Sequence, residues 1–205
     1  MSRLTESTLL LLGLLNPFAL SVYLLDLIHK LDRGTFLRVV VRAALISASV
    51  FSAFALTGVA FFEKVLQVRF AAFQIFGGIL FLVIALRFVV SGGGAVGALR
   101  GDNPEHLAGA VAMPFMIGPG TVGASVIIGR RSAALGLVAI ALALLATLAF
   151  LLLSKWTYDH LRERNAKLVT RYVDIVGRVT SLVIGTIAVQ MILSGWVAWQ
   201  SGHVP

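Results

Sequence analysis

Two stretches of this chain carry residue types that could do chemistry where an ordinary apolar helix would do none. They are Asn16-Pro17 and Met113-Pro114-Phe115-Met116-Ile117-Gly118-Pro119-Gly120-Thr121-Val122-Gly123. Proline has no amide hydrogen, and its ring collides with the carbonyl four residues back. In a helix, Pro17 would free the carbonyl of Gly13, Pro114 that of Ala110 and Pro119 that of Phe115. Asn16 adds a donor and an acceptor. The hydroxyls of Ser21, Thr121 and Ser125 lie within about two helical turns of the breaks. Groups of this kind recognise a solute rather than make bonds. A helix amino end opened at a break presents amides and a positive dipole end to a carboxylate, and freed carbonyls can hold an ammonium group or a cation. A zwitterion would use both. The candidate solute-binding residues are therefore Gly13, Asn16, Pro17, Ser21, Gly118, Pro119, Gly120, Thr121 and Ser125.

Other chemistries lack their residues. No Asp, Glu or His lies at the centre of an apolar segment; Asp26 and Glu63 sit at segment ends. Proton-coupled pumps and divalent-metal carriers usually place such groups inside the membrane. Hydrolytic enzymes need a nucleophile–base pair or a metal cluster. Neither is visible, so no enzyme, no catalytic residue, no metal site and no cofactor is expected. The absence of cysteine excludes disulfides and thiolate ligands.

The elements that must position the two motifs are membrane helices. The chain has 205 residues, 59% hydrophobic and only 13% charged, with a mean hydropathy of +0.96. A soluble domain carries roughly 25% charged residues. The apolar residues come in runs of the length, about 20, that crosses a hydrocarbon core of about 30 Å as a helix. Six spans are predicted, at about 5–28, 38–62, 69–90, 107–129, 132–154 and 176–199. The first is too long, and lacks the small-residue cleavage site, for a signal peptide. Gly92-Gly93-Gly94 would end the third span. Asp102-Asn103-Pro104 would start the fourth, as a cap followed by proline at the first helical position.

The net charge of +8 follows the same topology. Six spans put both termini on one side, with five Lys and Arg; the other side, including the stretch from Lys155 to Arg171, holds twelve. The positive-inside rule places both termini outside the cytoplasm and that stretch within it, as a loop or surface helix. No basic run is interleaved with aromatics, so nucleic acid is not an expected partner. Trp156, Trp196, Trp199 and Tyr158 fall at span ends, as interfacial anchors do.

The halves repeat faintly. A shift of 103 residues sets Ile84-Ala85 on Ile187-Ala188 and Ser91-Gly92 on Ser194-Gly195; a shift of 102 sets Asn16-Pro17 on Gly118-Pro119. Three spans per half is an odd number, so the copies must lie in opposite orientations. The fold expected is an all-α single membrane domain over 1–205. Its six transmembrane helices form two inverted three-helix repeats, 5–92 and 107–199, with the first and fourth helices interrupted. A lone proline kink is readily patched by neighbouring helices. Paired interruptions in corresponding positions of two halves point instead to a midplane solute site. Gln74, Gly77, Gly78, Thr180, Ser181, Gly185, Thr186 and Gln190 read as helix-packing positions, with a cavity-facing place the alternative for Gln74 and Thr186.

At these residues the sequence resembles the MarC family of bacterial inner-membrane proteins, classed also as neutral amino acid transporters. The resemblance covers nearly the whole chain. It rests on Asn16-Pro17, on Phe73-Gln74-Ile75-Phe76-Gly77-Gly78-Ile79-Leu80, on Pro114 with Gly118-Pro119-Gly120, and on Ile187-Ala188-Val189-Gln190 with Ser194-Gly195. It implies a multi-pass inner-membrane secondary transporter with a three-plus-three inverted repeat and outward-facing termini, carrying small neutral amino acids. The implied partners are that solute and the lipid bilayer, with a homo-oligomer allowed. Where many relatives have a glycine and a second proline after the first motif, this chain has Ala19 and Val22; Ala110 replaces a proline common before Pro114. These departures imply a less unwound first helix and a shifted solute range. Two other functions fit the residues: a structural or regulatory membrane protein without transport, and an exporter of drugs or metabolites.

Overall fold

In the computed structural model, which describes residues 2–58, 60, 64, 67–91 and 104–201, the chain is helical with no strand among the described residues. The first apolar segment forms three pieces, α1 (Arg3–Leu15), α2 (Pro17–Tyr23) and α3 (Leu25–Lys30). Ser2 caps α1, its hydroxyl accepting from the Thr5 amide at 3.2 Å. The second and third segments are α4 (Arg33–Thr57) and α5 (Phe70–Ser91). Asp32 caps α4, accepting from the Thr35 amide at 3.0 Å. Hydrogen bonds from the Thr35 side chain and amide hold the Asp32 carboxyl below the usual carboxylate range. The fourth segment is α6 (Pro104–Val111), a wide turn over Ala112–Met116, and α7 (Pro119–Arg131). The predicted stops and starts at Gly92-Gly93-Gly94 and Asp102-Asn103, and Glu63, lie outside the described residues.

The last two predicted spans and the charged stretch between them are one run of helix, α8 (Ala133–Ser201), 69 residues long. Drawn straight, α8 would measure about 100 Å, some three bilayer cores. Its contacts forbid a straight rod. Asp159 meets Arg33 at the start of α4, while Gly129, beside Gly136 of α8, abuts Ala55 near the end of α4. The first part of α8 is thus antiparallel to α4. Phe70 lies on Gly123 and Gly77 on Pro119, so α5 is antiparallel to α7 and parallel to that first part. Gly195 packs on Ala71 and Ile75, Gly78 on Ala188 and Ile192, and Gly185 on Ala85. The last part of α8 is therefore antiparallel to α5, and so to the first part. The chain reverses between Leu161 and Ser181, a range that overlaps the stretch from Lys155 to Arg171 that the sequence reads as a loop or surface helix.

Four of the described helices are long and apolar enough to cross a membrane: Arg3–Tyr23, Arg33–Thr57, Phe70–Arg87 and Ala133–Leu161. The exterior is what lipid requires. Leu45, Leu56, Phe76, Leu182 and Val197 each expose more than three-fifths of their surface, on helices whose backbone polar groups are satisfied internally. Buried hydroxyls bond back one turn, Ser47 to the Ala43 carbonyl and Thr147 to the Ala143 carbonyl.

Glycines set how closely the helices approach. A Cβ at Gly129 would run into the backbone carbonyl of Ala55, which no rotamer can move. Gly129→Ala should therefore force α4 and α7 apart and destabilise the protein by about 1–3 kcal/mol, the cost of overpacking a well-packed contact. Thermal melting of the purified variant in detergent checks this; an unchanged melting temperature would mean that the two helices do not pack this closely.

Candidate functional site

At the first break the chain leaves helical geometry for one residue. Asn16 has φ 43° and ψ 74°, in the left-handed region. Its amide still donates to the Leu12 carbonyl at 3.0 Å, closing α1. Its carbonyl accepts from Leu20 at 3.0 Å, and its Oδ1 accepts from the Ala19 amide at 3.2 Å. One asparagine thus ends one helix and caps the next, and Pro17 fits the first position of α2, where no amide hydrogen is needed. Asparagine tolerates the left-handed region better than other non-glycine residues, which is why this residue can make the joint. Among the described residues its side-chain amino group makes no hydrogen bond.

The second break is longer. Met113 is extended (φ −114°, ψ 126°), and the Ile117 amide reaches the Ala112 carbonyl at 2.8 Å, five residues back. Ile117 and Gly118 are extended as well. Gly118 precedes α7, and Pro119 occupies its first position. The Thr121 hydroxyl ties the turn together. It accepts from the Gly118 amide at 2.9 Å and lies 2.9 Å from both the Met116 and Gly118 carbonyls. The Gly120 and Thr121 amides, in the first turn of α7, have no acceptor within the helix.

The breaks come together. A cavity of about 140 Å³ is lined by Asn16 from one and Gly118, Gly120 and Thr121 from the other, and Leu14 lies 3.7 Å from the Cβ position of Gly120. Most of its wall is apolar: Leu14, Leu15, Ala19 and Leu20 on one side, Phe81, Phe115 and Met116 on another, and Ile184, Ile187 and Met191 from the last part of α8. Tyr23 completes it, its ring tilted against Phe115 with centroids 4.7 Å apart. Among the described residues, no acidic or basic side chain is on the wall.

The other five sequence candidates stand off this wall. Gly13 is exposed, with open space where a Cβ would be. Pro17 is half-buried at the helix start. The Ser21 hydroxyl donates to the Phe18 carbonyl at 2.7 Å, and the buried Ser125 hydroxyl to the Thr121 carbonyl at 2.8 Å. Pro119 is buried against Gly77 of α5. The residues that sequence reasoning missed are Tyr23 and the apolar wall. Ile187 and Phe81 lie in or next to the motifs quoted above, but an apolar residue in a membrane helix gives no local sign of whether it faces lipid or a void.

The model of a family described as MarC family integral membrane protein matches residues 1–199. No curated protein and no solved structure matches.

Proposed function

The chain belongs to the MarC family of integral membrane proteins, and from that premise we propose that it is a secondary transporter of small neutral amino acids such as glycine, alanine or serine. The observation that carries the reading is the single cavity shared by the two helix breaks. Irregular backbone at membrane depth persists only when it is buried in protein or lines a cavity. An apolar cavity of roughly 150 Å³ accepts a molecule of benzene's size, and alanine has as many heavy atoms. The solute's carboxylate would lie at the first turn of α7, against the Gly120 and Thr121 amides. Asn16 and the carbonyls at the breaks would take its ammonium group or orient its carboxylate. A wall without formal charge disfavours acidic and basic solutes, whose third charge would go unpaired in a low-dielectric site.

In this reading the protein crosses a bacterial inner membrane six times, as two inverted repeats, with both termini outside. The antiparallel ends of α8 support six passes, and the excess of Lys and Arg on the Arg33 side supports the orientation. Alternating access would come from rocking one broken-helix repeat against the other. The preponderance of Leu, Ile, Phe and Met on the wall favours one competing reading, an exporter of more apolar metabolites or drugs.

A thermal-shift series on the purified protein separates these. Small neutral amino acids should raise the melting temperature, since a ligand at 100 times its dissociation constant adds about 2.7 kcal/mol to the state it binds. Glutamate and lysine at equal concentration should not. Stabilisation by apolar drugs alone would replace the amino acid reading with the exporter. Stabilisation by none of these, together with no flux in proteoliposomes, would leave a protein whose prolines only shape packing.

A further inference from the structure

On the side of the molecule that bears Arg33, the cavity wall reaches Tyr23, and the chain that follows is tied to α8 by a buried cation. After Tyr23 the chain passes through Leu24, Leu27 and Ile28, all buried, and the fully buried Phe36 of α4 belongs to the same core. Lys155 of α8 is itself buried, its side chain only 7% exposed. Its Nζ donates to the Ile28 carbonyl at 2.8 Å and to Asp159 Oδ1 at 2.7 Å. Asp159 accepts at its other oxygen from Arg33 Nε, at 3.0 Å. The Ile28 carbonyl belongs to the last turn of α3, where carbonyls have no helical partner and a cation is favoured. A ring contact between His29 and Tyr158, with centroids 5.2 Å apart, lies alongside. Two charged residues of α8 thus grip the end of α3 and the start of α4 together.

The gripped piece is jointed. Leu24, between α2 and α3, has φ −85° and ψ 7°, off the helical ψ, while its amide still donates to the Leu20 carbonyl and its carbonyl accepts from the Ile28 amide, both at 2.8 Å. Hinges in domain closures are a few positions of this kind at element ends. At the opposite end of the molecule, the pair joining α1 to α7, Glu6 with Arg131, is 3.8 Å long and half-exposed on both sides, a contact that holds little.

We propose that Lys155, with Asp159 and Arg33, is the latch of a gate that seals the cavity at the Arg33 end, with Leu24 as its hinge. The proposal rests on the transporter reading, because a gate needs a compartment to close. Opening requires α3 to swing away from α8. This breaks the Lys155–Ile28 bond and loosens the Arg33–Asp159 bridge while leaving α2 and the Asn16 joint in place. The closed state is then the resting one, and the solute reaches the cavity from the side of Glu6 and Arg131.

The absence of native cysteine makes the test clean. Leu20→Cys puts one thiol on the cavity wall, and a membrane-impermeant thiol reagent is applied to vesicles from each side in turn. With the latch intact, reagent on the Arg33 side should label slowly. Adding Lys155→Met should make labelling from that side about tenfold faster, as when a minor open state of a few per cent becomes a major one. Labelling from the other side should not rise. Asp159→Asn, which keeps the lysine and its volume, should move in the same direction and carries the test if Lys155→Met fails to fold. Rates unchanged from the Arg33 side, or raised equally from both sides, would overturn the gate and leave the cluster a packing feature. Amino acid binding by the unaltered chain is read separately by thermal shift, so loss of the gate and loss of the transporter reading are distinct results.

Discussion

Gly77→Ala should lower the melting temperature and abolish stabilisation by any solute of the cavity. A Cβ built on Gly77 overlaps two ring carbons of Pro119. A proline ring at the start of a helix cannot rotate out of the way, since its φ is fixed. The added methyl must therefore displace α7, or α5 must retreat from both α7 and α8; Met191, a wall residue, is the next neighbour at 3.5 Å. Overpacking alone costs about 1–3 kcal/mol. The functional loss comes from geometry. Pro119 is followed directly by Gly120 and Thr121, whose amides face the cavity in the proposed reading, and moving the start of α7 by a methyl radius removes their alignment with Asn16. Gly78→Ala is the comparison. Its Cβ would meet Ile192 and the Ala188 carbonyl on the α8 side, so it should cost similar stability while disturbing solute binding less. Equal loss of binding in both variants would show that α5 supports the site only through general packing.

The helix breaks were legible in the sequence for the same reason that they exist. Proline and glycine act through the backbone, so their effect survives whatever packs around them. Asn16 as joint, Pro17 and Pro119 at first helical positions, and Thr121 near the second break all follow from local chemistry. The change of ψ at Leu24 does not, because Tyr23-Leu24-Leu25 contains no residue that disfavours helix. Ser21 and Ser125 illustrate the opposite error. A hydroxyl near a break looks available for a solute, yet within a helix it can bond to a carbonyl of the preceding turn, and both do. Lys155 read as one of many topology-setting charges, since composition cannot say that this lysine turns inward over an orphan carbonyl. The apolar wall was illegible for a deeper reason. In a membrane protein the outside is as apolar as the inside, so hydrophobic periodicity no longer tells which face is buried; α5 and the two end parts of α8 are apolar nearly all round.

Asn16 makes the backbone joint and, in the proposed transporter, contacts the solute, and one pair of substitutions can pull the two apart. Asn16→Ala loses the cap on the Ala19 amide, about 1 kcal/mol, and places a Cβ-bearing residue without asparagine's tolerance in the left-handed region, a further cost of about 1–2 kcal/mol. It should melt well below the parent protein and bind no solute, a result that by itself says only that the joint is broken. Asn16→Gly is the informative change. Glycine occupies the left-handed region without penalty, and as a cap it falls short of asparagine by only a few tenths of a kcal/mol. The fold should survive with nearly its parental melting temperature, while the carboxamide is gone from the cavity wall. If that group donates to the solute, losing one such bond, about 1.5 kcal/mol or more to a charged partner, should weaken amino acid binding by about tenfold. Parental affinity in a well-folded Asn16→Gly protein would assign the asparagine wholly to the backbone joint. Recognition would then fall to the Gly120 and Thr121 amides of the second break alone. That outcome would also separate the halves functionally: the first would supply a hinge and a wall, the second the polar contacts. Two repeats that diverged in this way would keep matching interruptions for different physical reasons.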